Sequence, residues 1–279
     1  ENAIAITELP LPSNQAIDLL VIGGGAAGFM AANSAAEGGL SSVFLFEASS
    51  KMLEKVRISG GGRCNVTNRS CIEARDLVDN YPRGKSSLIG SFSRFSSLDA
   101  INWFQNRNLQ LIEEEDGRMF PSSNSSLDVI SCLKESALKL GVNCFTNRFV
   151  TEIRFIEQLG FQVFCKCGNS ILAKRILLAT GSHPVGTKLA KNLGHTIIKP
   201  VPSLFTFTIK NPYFYRCSGI ALDDISLKLQ IGSRNYKDKG RVLITHWGLS
   251  GPAVLRMSAF AARDFYHEKY KGNLIVNWV

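Results

Sequence analysis

No segment of this 279-residue sequence is long and apolar enough to cross a lipid bilayer. A membrane-spanning helix needs about 20 consecutive apolar residues. The apolar stretch from Ala16 to Ile22 contains Asp18 and ends at a glycine turn, as expected of a buried strand. Internal repeats and low-complexity segments are also absent from the sequence. With 45% hydrophobic residues, the chain can build one large or two ordinary domains, and we expect a soluble globular protein.

The sequence has few residues of the kind that hold metals or form disulfide frameworks. It contains four histidines, and its seven cysteines are odd in number and show no framework spacing. Cys165 and Cys167 share one face of a predicted strand, but no second Cys or His pair accompanies them, so we expect no metal site. We predict free thiols in a reducing compartment. Because the chain starts at Glu1 without a signal-peptide pattern, we expect an intracellular protein, cytoplasmic or, after N-terminal processing, in an organelle stroma.

The formal net charge of +9 is not gathered into a basic stripe with interleaved aromatic residues. A nucleic-acid interface needs such a stripe, so no nucleic-acid partner is expected. A basic surface also suits an anionic cofactor and anionic metabolites.

A predicted strand over 17–22 ends in glycines spaced Gly23-x-Gly25-x-x-Gly28, and a helix of small residues follows. The first glycine permits a tight turn, the second lets a pyrophosphate approach the backbone, and the third lets helix and strand pack closely. A second apolar run ends in Glu47, where a carboxylate accepts hydrogen bonds from ribose hydroxyls and repels a 2′-phosphate. This βαβ pattern predicts an FAD or NAD site rather than an NADP site.

A second glycine-rich segment, 55–68, reads KVRISGGGRCNVTN. Its three consecutive glycines let backbone approach a flat or phosphorylated ligand. Ser59 and Asn65 offer short hydrogen-bonding groups, and Arg57 and Arg63 supply positive charge. The alternative interpretation is a mobile glycine hinge.

Several blocks of the sequence resemble the BaiN-like or aminoacetone-oxidase-type family of FAD-dependent flavoproteins. The similar blocks cover most of residues 16–262: SGGGRCNVTN from Ser59, EDGRMFPS from Glu115, LATG from Leu178, GHTI from Gly194 and THWGLSGP from Thr245. The resemblance implies that the Gly23 turn holds the FAD pyrophosphate and Glu47 the ribose. It also implies that the 59–65 loop lies near the isoalloxazine and that Val150 presents backbone to the adenine. The candidate cofactor-binding residues are then Gly23, Gly25, Ala26, Ala27, Gly28, Glu47, Ala48, Lys55, Arg57, Ser59, Gly60, Gly61, Gly62, Arg63, Cys64, Asn65, Val150, Ala179, Thr180 and Gly181.

Two departures from the family are expected to matter. The segment after the ATG turn, 180–186, is shorter than the glycine-rich loop common in the family. Family members also continue past Val279 and close the flavin site with a C-terminal segment, so we expect the site to be incomplete in this span.

The predicted function is FAD-dependent oxidoreduction of a small organic substrate by hydride transfer, with NAD(P)H or oxygen as second substrate. Arg63 is the candidate for stabilising reduced, anionic flavin, and His246 is a candidate proton donor. His246 is open to a second interpretation, as a packed histidine. Cys64 lacks a well-spaced partner for disulfide chemistry, because Cys71 is seven residues away. Two other functions stay open: a flavin- or nucleotide-binding protein without turnover, and a tRNA-modifying flavoprotein favoured only by the charge.

The predicted fold class is α/β. Residues 16–202 form a Rossmann-like FAD-binding domain that includes the flavin loop 55–68, a helical segment 97–141 and a three-stranded β-meander beginning at Phe149. The meander's third strand is read as 171–181. Prolines in the connector 199–203 mark a boundary, and residues 203–279 start an inserted, incomplete β-rich domain with one helix over 251–265.

Overall fold

The computed structural model describes residues 16–209 and 216–278. Within them the helices are α1 (Ala26–Glu37), α2 (Glu54–Ile58), α3 (Ala74–Asp79), α4 (Lys85–Phe92), α5 (Ser97–Gln105), α6 (Ser126–Lys139), α7 (Pro184–Asn192), α8 (Pro252–Phe260) and α9 (Ala262–His267). The strands are β1 (Leu19–Ile22), β2 (Val43–Phe46), β3 (Thr67–Asn68), β4 (Leu111–Glu113), β5 (Arg118–Pro121), β6 (Asn143–Phe145), β7 (Val150–Ile156), β8 (Gly160–Cys165), β9 (Ser170–Ala173), β10 (Ile176–Leu178), β11 (Phe207–Thr208), β12 (Ala221–Ile231), β13 (Arg234–Thr245), β14 (Gly248–Ser250) and β15 (Asn273–Asn277).

The chain divides into two compact units. The first comprises residues 1–77 and 89–197, and the second comprises residues 78–88 and 198–279. The sequence instead places one boundary after residue 202 and does not separate 78–88 from its neighbours. In the described part of the chain, no helix has the length and apolarity that a membrane span requires.

A four-stranded parallel sheet, ordered β10-β1-β2-β6, forms the centre of the first unit. Alternate residues of β1 point to opposite faces. Leu19 and Val21 join the core formed with α1, α5 and α6. Leu20 and Ile22 join a second core with the meander β7-β8-β9 and α7. The sheet is therefore covered on both faces, as its uninterrupted apolar strands require, and the predicted Rossmann-like fold with a meander is confirmed.

The third strand of the meander is shorter than the sequence predicts. It ends at Ala173, and residues 176–178 form β10 of the parallel sheet. Between them the Lys174 amide donates to the Ile17 carbonyl at 2.8 Å, and the Leu20 amide donates to the Arg175 carbonyl at 3.0 Å. These bonds hold residues 174 and 175 where the chain passes from the meander to the parallel sheet beside β1. A single continuous strand over 171–181 could not belong to both sheets.

An antiparallel sheet ordered β11-β14-β13-β12-β15 forms the second unit together with α8 and α9. Its long β12–β13 hairpin turns at Gly232, whose φ of 54° is left-handed. The single helix predicted over 251–265 is two helices, α8 and α9. They divide at Ala261, where ψ is 2° and the backbone leaves helical geometry.

Candidate functional site

The three glycines of the first turn differ in what surrounds them. Gly23 has a φ of +117°, and a Cβ there would overlap the carbonyl oxygen of Ala179. A Cβ at Gly28 would overlap the carbonyl oxygen of Gly23, so this glycine is needed for close packing of α1 on β1. A Cβ at Gly25 would meet no atom within 4 Å. Gly25 therefore faces open space, immediately before the α1 residues Ala26 and Ala27.

Glu47 is held in a fixed orientation by two backbone amides. Its Oε2 accepts the Gly24 N–H at 2.8 Å, and its Oε1 accepts the Ser49 N–H at 2.8 Å. An ionised carboxylate accepts about four hydrogen bonds, so each oxygen keeps capacity for a ligand hydroxyl. Because one of these bonds reaches into the turn itself, Glu47 also supports the conformation of the turn.

A cavity of about 1030 Å³ opens where β1 and β10 end, and all residues lining it belong to the first unit. This volume lies at the upper end of the range for small-molecule sites, roughly 300–1,000 Å³. The lining includes these candidate residues from the sequence: Gly23, Gly25, Ala26, Ala27, Glu47, Ala48, Lys55, Ser59, Cys64, Asn65, Val150, Ala179, Thr180 and Gly181. Gly28, Arg57, Gly60, Gly61, Gly62 and Arg63 lie outside that lining.

The cavity wall carries more unpaired positive than negative charge. Among the described residues, no carboxylate lies within ion-pair distance of Lys51, Lys55 or Arg148, and Lys55 Nζ instead donates to Ser182 Oγ at 3.3 Å. Glu54 is paired with Arg57 at 3.1 Å, which lowers the pKa of the Glu54 carboxyl. The open backbone at Gly25, the oriented Glu47 and these free cations fit a dinucleotide, which brings a ribose diol and a pyrophosphate dianion.

The second glycine segment forms a 3₁₀ turn over Ser59–Gly62 with an unusual backbone. Gly60, Gly61 and Gly62 have φ values of 55°, 68° and 88°, and Cys64 also has a left-handed φ, of 61°. Glycine adopts this conformation without the steric cost other residues meet. Ser59 Oγ donates to the Val56 carbonyl at 2.7 Å. The turn thus has a defined shape that presents its two ends, rather than its glycines, to the cavity.

Arg63 is used within the protein. Its guanidinium donates to Glu114 Oε1 at 2.6 Å and to Asn124 Oδ1 at 2.9 Å, and it lies 4.0 Å from the centre of the Phe120 ring. Glu114 also pairs with Arg118 at 2.9 Å. These contacts tie the glycine segment to residues 114–124, a connection that was not predicted from the sequence. A role for Arg63 at the flavin stays a prediction. Its contacts in the structure are those of a residue that anchors the glycine segment to residues 114–124.

His246 belongs to the second unit, where it lies in the turn between β13 and β14. Its ring is exposed and meets the Trp247 ring edge-on, with centroids 4.3 Å apart. Its role as a proton donor stays a prediction. His183 does line the cavity, and its Nδ1 accepts the Val185 N–H at the start of α7, at 3.2 Å.

Several cavity residues that carry charge or a ring were not predicted from the sequence, among them Lys51, Arg148 and Phe149. Lys51 lies only four residues after Glu47, so its closeness in sequence to a predicted site residue could have indicated that it lies at the cavity. Arg148 and Phe149 precede the Val150 position that the family resemblance supplied, but no motif marks them. Their place at the cavity depends on how β6 and β7 meet the parallel sheet.

The cysteines in the described part of the chain are free thiols. Burial raises the pKa of Cys144 and of Cys165 to about 11, so both are protonated at neutral pH. In the same residues, no group of three or more His, Cys, Asp or Glu side chains is placed to hold a metal ion.

Comparison with known proteins identifies the family. The profile of the HI0933-like protein Rossmann domain family matches residues 17–243. A relative from Clostridium scindens, named 3-dehydro-bile acid delta(4,6)-reductase, is 28% identical over 89% of this chain and 61% of its own length. A relative from Haemophilus influenzae, named ribosomal RNA dihydrouridine synthase, is 30% identical over 86% of this chain and 61% of its own length. The chain thus spans about three fifths of each relative.

A solved structure shares the fold. The open conformation of a flavocytochrome c3 fumarate reductase superposes with a TM-score of 0.54 at 19% identity, over 75% of this chain and 47% of that chain. The glycine turn, the parallel sheet and the profile match agree with one another. This chain belongs to the HI0933-like protein Rossmann domain family.

Proposed function

We propose that this chain forms the FAD-binding part of a flavin-dependent oxidoreductase. The observation that carries the proposal is the cavity in which open backbone at Gly25 and the oriented Glu47 carboxylate occur together. FAD brings a pyrophosphate and an adenosine ribose, the two groups these features fit. The free cations Lys51 and Lys55 add charge complementary to the phosphates.

The bound flavin would supply hydride transfer, and the chain's own residues would bind and orient it. The first amides of α1 would donate to the pyrophosphate, because Gly25 provides no side-chain cap that competes for them. Glu47 would accept the ribose hydroxyls through its remaining lone pairs. Ser59, Cys64 and Asn65 would contact the cofactor where they line the cavity, and Ala179, Thr180 and Gly181 would do so beside β10.

The reaction class we propose is reduction of a carbon–carbon double bond conjugated to a carbonyl. The names of both relatives describe such a change, in a keto bile acid and in the uracil ring. The reaction adds a hydride to the carbon β to the carbonyl and a proton to the α carbon, and NAD(P)H would supply the two electrons. The reaction needs a proton donor, and within this chain His246 is the candidate named above.

A second candidate substrate is uracil within RNA. It is favoured by the name of the Haemophilus influenzae relative and by the net charge of +9. RNA binding through phosphate contacts falls steeply as salt rises, whereas binding of a neutral enone does not. This difference separates the two substrates.

The test starts with the purified 279-residue chain titrated with FAD and followed by flavin absorbance and fluorescence. We expect saturable FAD binding through the Gly25 turn and Glu47, although the sequence predicts an incomplete flavin enclosure in this span. We also expect bleaching by NADPH or NADH under anaerobic conditions, and return of the oxidised spectrum when an unsaturated ketone or a uridine-containing RNA is added. Binding without bleaching would support the non-catalytic alternative. Failure to bind FAD at any concentration would contradict the proposal.

A further inference from the structure

Arg148 lies between β6 and β7, where the chain leaves the parallel sheet. Its backbone N–H donates to the Glu47 carbonyl at 2.8 Å, and its half-buried side chain lines the cavity. It therefore sits next to the residue proposed to bind ribose and two residues before Val150, the position proposed to face adenine.

The Arg148 guanidinium lacks the protein partners that a half-buried arginine ordinarily has. Its Nε is buried and has no hydrogen-bond partner among the described residues. The centroid of the Phe145 ring lies 5.9 Å from the guanidinium carbon, at the limit of a cation–π contact. In the same unit, half-buried Arg107 is instead bonded to Glu37, to Ser136 Oγ at 3.1 Å and to the Trp103 carbonyl at 2.9 Å. An unsatisfied buried donor is destabilising, so its position beside a cavity points to a ligand that accepts its hydrogen bond.

We propose that Arg148 binds the adenosine half of the dinucleotide, an inference that rests on the proposed FAD function. Adenosine offers ring nitrogens and ribose oxygens as acceptors, and an aromatic face on which a planar guanidinium stacks. A lysine at this position would supply the positive charge but not the planar guanidinium, which stacks on the ring and donates several hydrogen bonds. Arg148 is thus assigned as a cofactor-binding residue that discriminates FAD from flavins lacking the adenosine.

This role has a consequence for the protein without ligand. Removing an arginine that is fully bonded within the protein lowers stability, because its partners lose their bonds. Removing the Arg148 side chain deletes an unsatisfied donor and, within residues 16–209 and 216–278, leaves no hydrogen-bonding group without the partner it had. The variant Arg148→Met is therefore expected to be at least as stable as the wild type without ligand.

The test compares Arg148→Met and Arg148→Lys in the 279-residue chain. The control is Arg175→Met, which removes an exposed arginine of the same unit that lies outside the cavity lining. Dissociation constants for FAD, ADP and FMN are measured by calorimetry, together with the melting temperature without ligand. We expect Arg148→Met to weaken FAD and ADP by about tenfold or more and FMN by less than twofold. Arg148→Lys should fall between the two, and Arg175→Met should match the wild type.

Unchanged FAD and ADP affinity in Arg148→Met would overturn the proposal. So would a lowered melting temperature with equal losses for FAD, ADP and FMN, which would mark Arg148 as structural. A wild-type chain that binds ADP in an Arg148-dependent way but binds no flavin would overturn the FAD function and leave the adenosine site. A wild-type chain that binds neither ligand would overturn both.

Discussion

Individual glycines of the turn make separable contributions, which a matched pair of substitutions tests. Gly25→Val places its side chain in open space, so we expect the fold to persist and FAD binding to be lost. Gly28→Ala drives a methyl group into the Gly23 carbonyl, so we expect the fold itself to be destabilised. Circular dichroism melting without ligand and FAD titration check both. Loss of the folded state in Gly25→Val, or normal stability in Gly28→Ala, would contradict the assignment.

Glu47 is expected to affect both binding and stability. Glu47→Ala removes the acceptor of the Gly24 and Ser49 amides as well as the proposed ribose contact. Hydrogen bonds to charged groups contribute about 1.5–3 kcal/mol, so we expect FAD affinity to fall by about one to two orders of magnitude. Urea denaturation of the unliganded variant should also show lower stability. A variant with normal stability and normal FAD affinity would remove Glu47 from both roles.

The glycines of the first turn and Glu47 could be named as candidate cofactor-binding residues from the sequence, because their proposed roles depend on spacing within one βαβ unit. It assigned Arg63 to the flavin because charge beside three glycines suggests a ligand contact. The partners of Arg63 lie about 50 and 60 residues further on, at Glu114 and Asn124. Sequence spacing does not report such distant pairing, and for the same reason it gave no sign that Arg148 lies at the cavity.

At the scale of elements, Arg63 and Glu114 join the glycine turn to the β4–β5 hairpin. If this pair anchors the turn, Arg63→Gln and Glu114→Gln should each weaken FAD binding by about two- to fivefold, as expected for a partly exposed ion pair. The double variant should be no weaker than the worse single variant. FAD titration of the three variants measures this.

The opposite result would restore the electrostatic role predicted from sequence. In that case Glu114→Gln would leave FAD affinity unchanged, and only Arg63→Gln would lower the flavin reduction potential. Spectroelectrochemical titration of the two single variants separates these outcomes.

Asp18 connects β1 to the turn between β9 and β10 through Lys174, with Nζ and Oδ1 2.8 Å apart. The Lys174 hydrogen bond, followed by those of Ser41 and Ser42, lowers the pKa of Asp18 from 3.8 to about 2. The folded-state pKa lies below the unfolded value, so this stabilisation is present above pH 3.8 and is lost as the pH falls towards 2. Asp18→Asn should therefore be less stable than wild type near pH 6, with the difference shrinking near pH 3. Urea denaturation at both pH values measures it, and a constant difference would contradict the assignment.

Sequence periodicity located helices well where one face is buried. It predicts helices over 98–106 and 127–140, which agree with α5 and α6 to within one residue at each end. In the region of the long hairpin it predicts strands only over 226–231 and 241–245, and these are shorter than β12 and β13. The missed residues belong to strands whose outer residues are polar and charged, including the directly opposed Lys228 and Lys237. It also read residues 171–181 as one strand, because the apolar pattern continues across a change of sheet. Hydrophobic periodicity indicates that a segment is buried, but it does not indicate which sheet the segment joins.

At the scale of the whole molecule, the candidate cofactor-binding and catalytic residues are distributed over the two units. Every cavity residue belongs to the first unit, and His246 belongs to the second. The β-rich character of the later part could be predicted from its short apolar runs. The grouping of residues 78–88 with it could not, because this depends on distant contacts such as the Arg83 guanidinium donating to the Ala259 carbonyl at 2.8 Å.

The chain's three tryptophans allow each unit to be followed separately, since Trp103 lies in the first unit and Trp247 and Trp278 lie in the second. One variant keeps only Trp103 (W247F and W278F), and another keeps only Trp247 (W103F and W278F). A ligand at 100 times its dissociation constant stabilises the state that binds it by about 2.7 kcal/mol. We therefore expect FAD at that concentration to raise the midpoint reported by Trp103 by about 5–10 °C. Thermal unfolding followed by fluorescence, with and without FAD, measures it, and the Trp247 variant shows how far the second unit shares the gain. A Trp103 midpoint that stays unchanged while FAD binds would mean that the cofactor site lies outside the first unit.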